Sequence, residues 1–372
     1  MDPWLIGFGA LKAGGAVTAV SGLVYGIWSV RKRSAEAMAG PWTAAAEPLG
    51  LAVKAGGGLS SRWVRLRGEH EGRSVRGHFA ISGSAAFSPR EDVLEWGGLG
   101  GTGRHPMGRT RVSLQVLAPL PPALHLREET AASETLRYMG IQDVQLGDEA
   151  LDSALHVSCD APERLRQMVG TEAGARAMQL LACKPGLSVE GGAVHMEQEG
   201  EVPEALPGML RTLATLAADL EGAMRVGLDA LAARRGHPLK GDTVEGHHEG
   251  LPWLARVASH GGEVRVDLVD GGPRHLSIVA PDAAAPLGVP VTLPNPILGR
   301  LVQIRAADPA AVAALLDEEA TEAVLAVVRG HPGARVQDGE VFVPVGEVFD
   351  PEAFAAALDD ALRLARALCT RC

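Results

Sequence analysis

Apolar residues recur along this chain in two periods. Val112, Leu114 and Val116 alternate with polar neighbours, as do Val264, Val266 and Leu268. A period of two belongs to a half-buried strand. Leu206, Met209, Leu210, Leu213, Leu216 and Leu220 instead fall at spacings of three and four, which predicts an amphipathic helix. Two shorter helices are predicted over 162–169 and 172–181, the first opened by Pro162, whose fixed φ suits a first helical turn. A hairpin is expected where 187–189 leads through Gly191-Gly192 into 194–196, because paired glycines supply the positive φ of a tight turn.

The same succession occurs twice. Shifted by 147 residues, Val144 to Met196 aligns with Val291 to Val343 without a gap, and 11 of 53 positions are identical, among them Pro162/Pro309, Pro185/Pro332, Gly186/Gly333 and Gly192/Gly339. Elsewhere apolar residues replace apolar ones, as in Val157/Ile304, Leu165/Val312 and Met168/Leu315. The closing helices match at an offset of 148, the strands around Val112 at 152, and Gly68-Glu69-His70-Glu71-Gly72 meets Gly246-His247-His248-Glu249-Gly250 at 178. We read two copies of one unit, 42–224 and 225–372. The first carries 26 extra residues between Phe79 and Val112, including Gly97-Gly98-Leu99-Gly100-Gly101, read as a mobile glycine-rich insertion over about 82–108. Strands grouped and then helices grouped give an α+β unit, a mostly antiparallel sheet with helices packed on it.

The N-terminal 33 residues read differently. Residues 13–30 hold no charge, and as helix they reach roughly 27 Å, near the thickness of a bilayer's hydrocarbon core. Trp4 stands at one end, Tyr25 and Trp28 at the other, and Arg31, Lys32 and Arg33 follow. A signal peptide places its cations before the apolar run. The expectation is therefore an N-terminal transmembrane helix ahead of the two repeats, a single-pass anchor in the bilayer through residues 4–30. The cation rule puts the N-terminus outside and the body in the bacterial cytoplasm, at the inner membrane. Gly14, Thr18, Gly22 and Gly26 repeat every four residues and are candidate helix-packing positions for self-association.

Net charge of −10 and two tyrosines argue against nucleic-acid binding. Four cysteines in 372 residues make no disulfide scaffold. Cys369 and Cys372 end the chain as a Cys-x-x-Cys with no thioredoxin-like βαβ unit around it, and are read as a reduced, frayed terminus. No phosphate-cradling glycine motif and no serine elbow occur.

Two constellations hold candidate site residues. His70 and Glu71, with His248 and Glu249 in the second copy, carry groups that bind metals or move protons. Sequence neighbours on a strand point to opposite faces, however, so a polar hairpin tip is the favoured reading and no metal ligand is assigned. Asp148 and Asp152 stand four apart and form a possible acid–base pair on a helix face. Asn295 and Gly299 replace them in the second copy, and an Asp after Gly is commonly a turn cap.

The run Gly147-Asp148-x-x-Leu151-Asp152-x-x-Leu155-x-Val157 resembles the Gly-Asp-x-x-Phe-Asp-x-x-Phe-x-Val signature of a family of uncharacterised, N-terminally membrane-anchored bacterial proteins. The resemblance is best over 42–220, with Leu151 and Leu155 in place of the two Phe. It implies architecture and a bacterial source, and brings no activity. Taken together, the sequence points to a membrane-anchored protein whose cytoplasmic body is an interaction or scaffold module, with a protein partner or self-association and no cofactor, and leans away from an enzyme while leaving catalysis open. The alternatives are a protein holding a small molecule or lipid head group between the repeats, and a metal-dependent hydrolase built on His70, Glu71 and Asp148. The acidic balance favours a neutral or cationic ligand.

Overall fold

The structure is a computed structural model, and it describes residues 33, 36–57, 61–82, 108–129, 144–258, 261–268, 276–281, 283, 288–292 and 295–369. It is α+β, with strands β1–β8 in an eight-stranded sheet and β9–β17 in a nine-stranded one. By packing, the chain divides into two compact units, Met1–Gln115 with Lys184–Ala217 and Val116–Cys183 with Ala218–Cys372. The sequence repeats, 42–224 and 225–372, are a different division of the same chain.

In the first unit, helix α1 (36–46) precedes β1 (Ala52–Gly57), β2 (Ser61–His70), β3 (Arg73–Ser82) and β4 (Arg109–Gln115), and β7 (Leu187–Glu190) and β8 (Ala193–Glu199) complete it. The strands lie in the order β1-β2-β3-β4-β8-β7. Alternation decides which face is buried. Val64 and Leu66, Val75 and Phe79, Val112 and Leu114, Val194 and Met196, and Leu187 and Val189 all point to one side and are buried. Met38, Trp42 and Ala46, four apart along α1, are buried too. The Trp42 ring stacks on Phe79 at 6.2 Å between centroids, which lays α1 on that inner face. Trp42 Nε1 donates to Glu201 Oε1 at 3.0 Å, so the indole's one polar group is satisfied.

The second unit begins with β5 (His125–Glu128), α2 (Glu149–Ala154), β6 (Leu155–Ser158), α3 (Pro162–Gly170) and α4 (Glu172–Cys183). Helix α5 (Leu206–Met224) runs into it and is followed by α6 (Val226–Arg235). Then come β9 (Leu239–Lys240), β10 (Thr243–His248), β11 (Leu251–Ala258), β12 (Gly261–Asp267), β13 (Ser277–Val279) and β14 (Val289–Pro290). The chain closes with α7 (Leu298–Leu301), β15 (Gln303–Ala306), α8 (Pro309–Leu315), α9 (Glu318–Gly330), β16 (Arg335–Gln337), β17 (Glu340–Val345) and α10 (Ala353–Cys369). Helices α6 and α10 pack on the face of β10–β12 and β17 that carries Val244, Trp253, Ala255, Val264, Val266, Val341 and Val343. Phe354 anchors α10. It is fully buried and sits where Gly262 on β12 and Gly227 on α6 have no side chain to obstruct it.

The two sheets run in one order. The series β2-β3-β4-β8-β7 has its counterpart in β10-β11-β12-β17-β16, and the antiparallel pair β5–β6 in β13–β15. Turn conformations repeat as well. Glu71-Gly72 has φ of 51° and 74° where Glu249-Gly250 has 52° and 84°, and Gly191-Gly192 has 58° and 75° where Asp338-Gly339 has 55° and 82°. Two successive positive φ values mark the two-residue hairpin turn whose twist matches the strands it joins.

One expectation is corrected here. Among the described residues no helix is long and apolar enough to cross a membrane, so the fold is an α+β body with two antiparallel sheets, and the single-pass transmembrane assignment is withdrawn. The longest described helix, α5, has 19 residues but carries Arg211, Asp219 and Glu221, too polar a set for a hydrocarbon core. Residues 4–30 and the positions Gly14, Thr18, Gly22 and Gly26 lie outside the described residues, as do 83–107 of the glycine-rich insertion and Cys372.

Candidate functional site

The residues singled out from sequence have mostly structural employment. His70 ends β2 opposite Arg73, and His248 ends β10 opposite Leu251. Glu71 and Glu249 are the first turn residues beyond them. Glu71 Oε2 lies 3.5 Å from Arg73 Nη1, and Glu249 Oε2 lies 2.9 Å from Arg366 Nε. Both are polar hairpin tips. Among the described residues no three His, Cys, Asp or Glu side chains come together as a metal site.

Asp148 and Asp152 hold a helix start. Asp148 is the N-cap of α2, its Oδ1 accepting from Ala150 N at 2.9 Å and Leu151 N at 3.1 Å. Asp152 reaches back, with Oδ1 accepting from Leu146 N at 2.6 Å and Oδ2 from Gly147 N at 3.2 Å. The preceding Gly147 has φ of +89°. Asn295 in the second copy does the work of Asp148, its Oδ1 accepting from Ile297 N at 2.9 Å and Leu298 N at 3.3 Å. A cap needs an acceptor, not a charge, which explains why Asn replaces Asp there.

The cysteines divide by environment. Cys183 is exposed, while Cys159 and Cys369 are half-buried. Burial pushes the Cys159 thiol up from its ordinary pKa, and neighbouring Asp160 adds to the rise. Its Sγ lies 3.3 Å from the Ala161 N–H and 3.6 Å from the Pro122 carbonyl oxygen. Burial also draws the Arg164 guanidinium down; its Nη2 donates to the Ala258 carbonyl oxygen at 2.9 Å.

The densest polar chemistry in the first unit lies on the outer face of its sheet, opposite α1. Paired residues of an antiparallel ladder share a face, so the registers can be read as rows. One row runs Arg67 (β2), Arg76 (β3), Ser113 (β4), His195 (β8). The next runs Arg65, His78, Arg111, Glu197 across the same strands. Arg65 also lies over the Trp63 ring, 4.6 Å from its centroid. Within the first row Ser113 Oγ is 2.6 Å from His195 Nδ1, and His195 Nε2 is 3.2 Å from the Glu190 carbonyl oxygen. A carbonyl only accepts, so Nε2 carries a proton, and in the neutral tautomer Nδ1 then accepts from the serine hydroxyl. Ion pairs join β4, β8 and β7 on this face. Arg111 lies 3.6 Å from both Glu190 and Glu197, and Arg109 is 3.7 Å from Glu197 and 3.4 Å from Glu199. Arg67 and Arg76 are solvent-exposed and directly opposite each other.

The second sheet presents different chemistry at the same registers. The pair equivalent to Ser113–His195 is Arg265–Phe342. There Arg265 and Arg335 bracket the Phe342 ring at 5.9 and 3.9 Å from its centroid. Glu263, mostly buried, is shared by Arg265 at 2.9 Å and by Arg256, and Glu340 is 3.7 Å from Arg265. A groove of about 580 Å³ opens beside this network, lined by His237, Lys240, His247, Trp253, Asp267 and Glu340 among others.

Sequence reading missed the Ser113–His195 pair because its members are 82 residues apart. Each strand's alternation was legible. The adjacency of β4 to β8, which brings them together, was not.

No family model matches the chain, and no curated protein does. Among solved structures the chain is similar to the crystal structure of the mycobacterial trehalose monomycolate transport factor A, TtfA, with a TM-score of 0.30 and 10% identity, covering 39% of this chain and 92% of that one. A likeness of that strength carries no argument about function.

Proposed function

We propose that the chain is an interaction module whose recognition surface is the outer face of the first unit's sheet. The observation that supports this reading is the contrast at equivalent registers. On the second sheet's outer face Arg256, Glu263, Arg265 and Glu340 form one ion-pair network. The first places Arg67 opposite Arg76 and Arg65 opposite His78. Arg67 and Arg76 are both exposed, and a row rich in basic residues on an open sheet face suits recognition of a partner of complementary charge. Asp148 and Asp152, the best acid–base candidates in the sequence, have their carboxylates occupied by backbone N–H groups, which is further support for a binding role over a catalytic one.

A photo-crosslinking amino acid at position 76, compared with one at position 256 on the second sheet's outer face, tests the assignment in cells producing the full chain. The expected result is a discrete adduct from position 76 that disappears when Arg67 is changed to Glu. Equal adducts from both positions, or none from position 76, would refute it.

A further inference from the structure

We infer that the groove on the second sheet's outer face binds a small organic cation, an amine carried on an apolar body. The site lies apart from the recognition surface proposed on the first sheet and does not depend on it. Its volume of about 580 Å³ falls in the range of pockets that hold a small molecule. The floor is β11, where Pro252 and Leu254 present half-buried apolar side chains on the face away from α6 and α10. By register, Glu245 and His247 on β10 stand on one side of that floor. Arg265 and Asp267 on β12 stand on the other, with Glu340 on β17 directly opposite Asp267. Neighbouring strands are about 4.8 Å apart, so the walls on β10 and β12 rise roughly 10 Å from each other, room for an alkyl chain or a single ring between them.

The charges along the groove do not cancel. Lys240 lies 3.5 Å from Glu245, and Arg265 is shared between Glu263 at 2.9 Å and Glu340 at 3.7 Å. Asp267 has no ion pair among the described residues, and it faces the second carboxylate, Glu340, across the β12–β17 ladder. An amine entering beside Asp267 therefore meets a surplus of negative charge, and the cation nearest to it, Arg265, is already held by Glu263. A surplus carboxylate next to an apolar floor is the complement of a protonated amine with a hydrocarbon body. At the sheet edge the groove is bordered by His237, edge-on to the Trp253 ring with centroids 5.3 Å apart. The first sheet lacks this combination. Ser74 and Arg76 occupy the registers of Pro252 and Leu254, and Gln115 and Ala193 those of Asp267 and Glu340.

The test is calorimetric titration of the full chain with hexylamine and phenethylamine, with hexanol, hexanoate and ammonium chloride in parallel. Asp267→Asn keeps the shape of an exposed side chain and removes its charge. Leu254→Thr keeps a strand-forming residue and removes apolar floor. Both are compared with Arg76→Gln on the first sheet. We expect the two amines to bind the parent, and hexanol, hexanoate and ammonium to bind roughly tenfold more weakly or not at all. Asp267→Asn should weaken amine binding roughly tenfold, Leu254→Thr should weaken it severalfold, and Arg76→Gln should leave it unchanged. The assignment is overturned if neither amine binds at millimolar concentration, if Asp267→Asn or Leu254→Thr retains the parent's affinity, or if Arg76→Gln weakens binding as much as they do. It is equally overturned if hexanol or hexanoate binds as tightly as hexylamine, which would remove the role of the carboxylates. Ammonium binding as tightly as hexylamine would likewise remove the role of the floor. None of these outcomes bears on the position-76 adduct, so the two assignments stand or fall separately.

Discussion

Replacing Gly262 with alanine tests how α10 is seated on the second sheet. A methyl group at this position would fall within contact distance of Phe354 Cζ, 2.8 Å from Phe354 Cε1 and 3.1 Å from Val348 Cγ1. Phe354 is fully buried, and its other flank is Gly227, whose missing Cβ would lie 2.9 Å from Phe354 Cδ2. The ring has no room to retreat. Overpacking of this kind costs about 1–3 kcal/mol. Phe354→Leu alone trims the ring and leaves a small void, at about 1–2 kcal/mol. The first copy has already paired a larger residue with a smaller partner: the positions equivalent to Gly262 and Phe354 are Thr110 and Leu206, both buried. The double variant Gly262→Ala/Phe354→Leu should therefore recover at least about 1 kcal/mol relative to the sum of the singles. Urea unfolding measures the three variants, with hydrogen exchange of the β12 amides assigning the loss to the second unit. Strict additivity in the double variant would show that the ring and the glycine do not share a slot, and would refute this packing argument.

Other perturbations separate structural from functional roles. Asp148→Asn should leave urea stability unchanged within a few tenths of a kcal/mol, while Asp148→Ala loses about 1 kcal/mol by freeing two N–H groups at the start of α2; equal losses would contradict the capping role. Iodoacetamide at pH 8 should modify exposed Cys183 well before Cys159, because a raised thiol pKa leaves less thiolate at a given pH. Peptide mass spectrometry reads the order, and the gap should narrow as pH rises. Trp42→Phe keeps an aromatic on Phe79 but abandons the bond to Glu201, costing about 1–2 kcal/mol. Trp42→Ala also empties the site beneath α1 and should cost about 3–5 kcal/mol, a difference visible in melting temperature.

Local chemistry was the readable part of this chain. The turn at Gly191-Gly192, the proline that opens α3 and the alternation of β4 and β12 follow from conformational preference and period, which act over a few residues. The offset repeat carried that reading across both halves. Pairing between distant strands has no such local signature. Nothing in the alternation of 109–115 says that β8 will lie beside it, so neither the Ser113–His195 pair nor the arginine rows were candidates. The Asp148–Asp152 pair was visible but its chemistry was ambiguous. Only the backbone N–H groups that fill both carboxylates, and Asn295 in the same role, distinguish a cap from an acid–base pair. Hydropathy over 13–30 suggested a span, yet no described helix has that character.

The two sheets agree in strand order and on one face, and differ on the other. Inner-face positions at equivalent registers remain apolar, as Val112 and Val264, Leu114 and Val266, and Val194 and Val341 do, because each must fill a close-packed core. Turn residues keep positive φ because strand twist demands it. Outer-face residues answer to neither constraint, and there the copies part: a serine–histidine pair flanked by arginines on one sheet, an arginine stacked on phenylalanine amid shared carboxylates on the other. The second arrangement joins Arg256, Glu263, Arg265 and Glu340 in one ion-pair network. The first places Arg67 directly opposite Arg76 on adjacent strands. That difference, set on a common register, is what supports placing the proposed recognition surface on the first sheet.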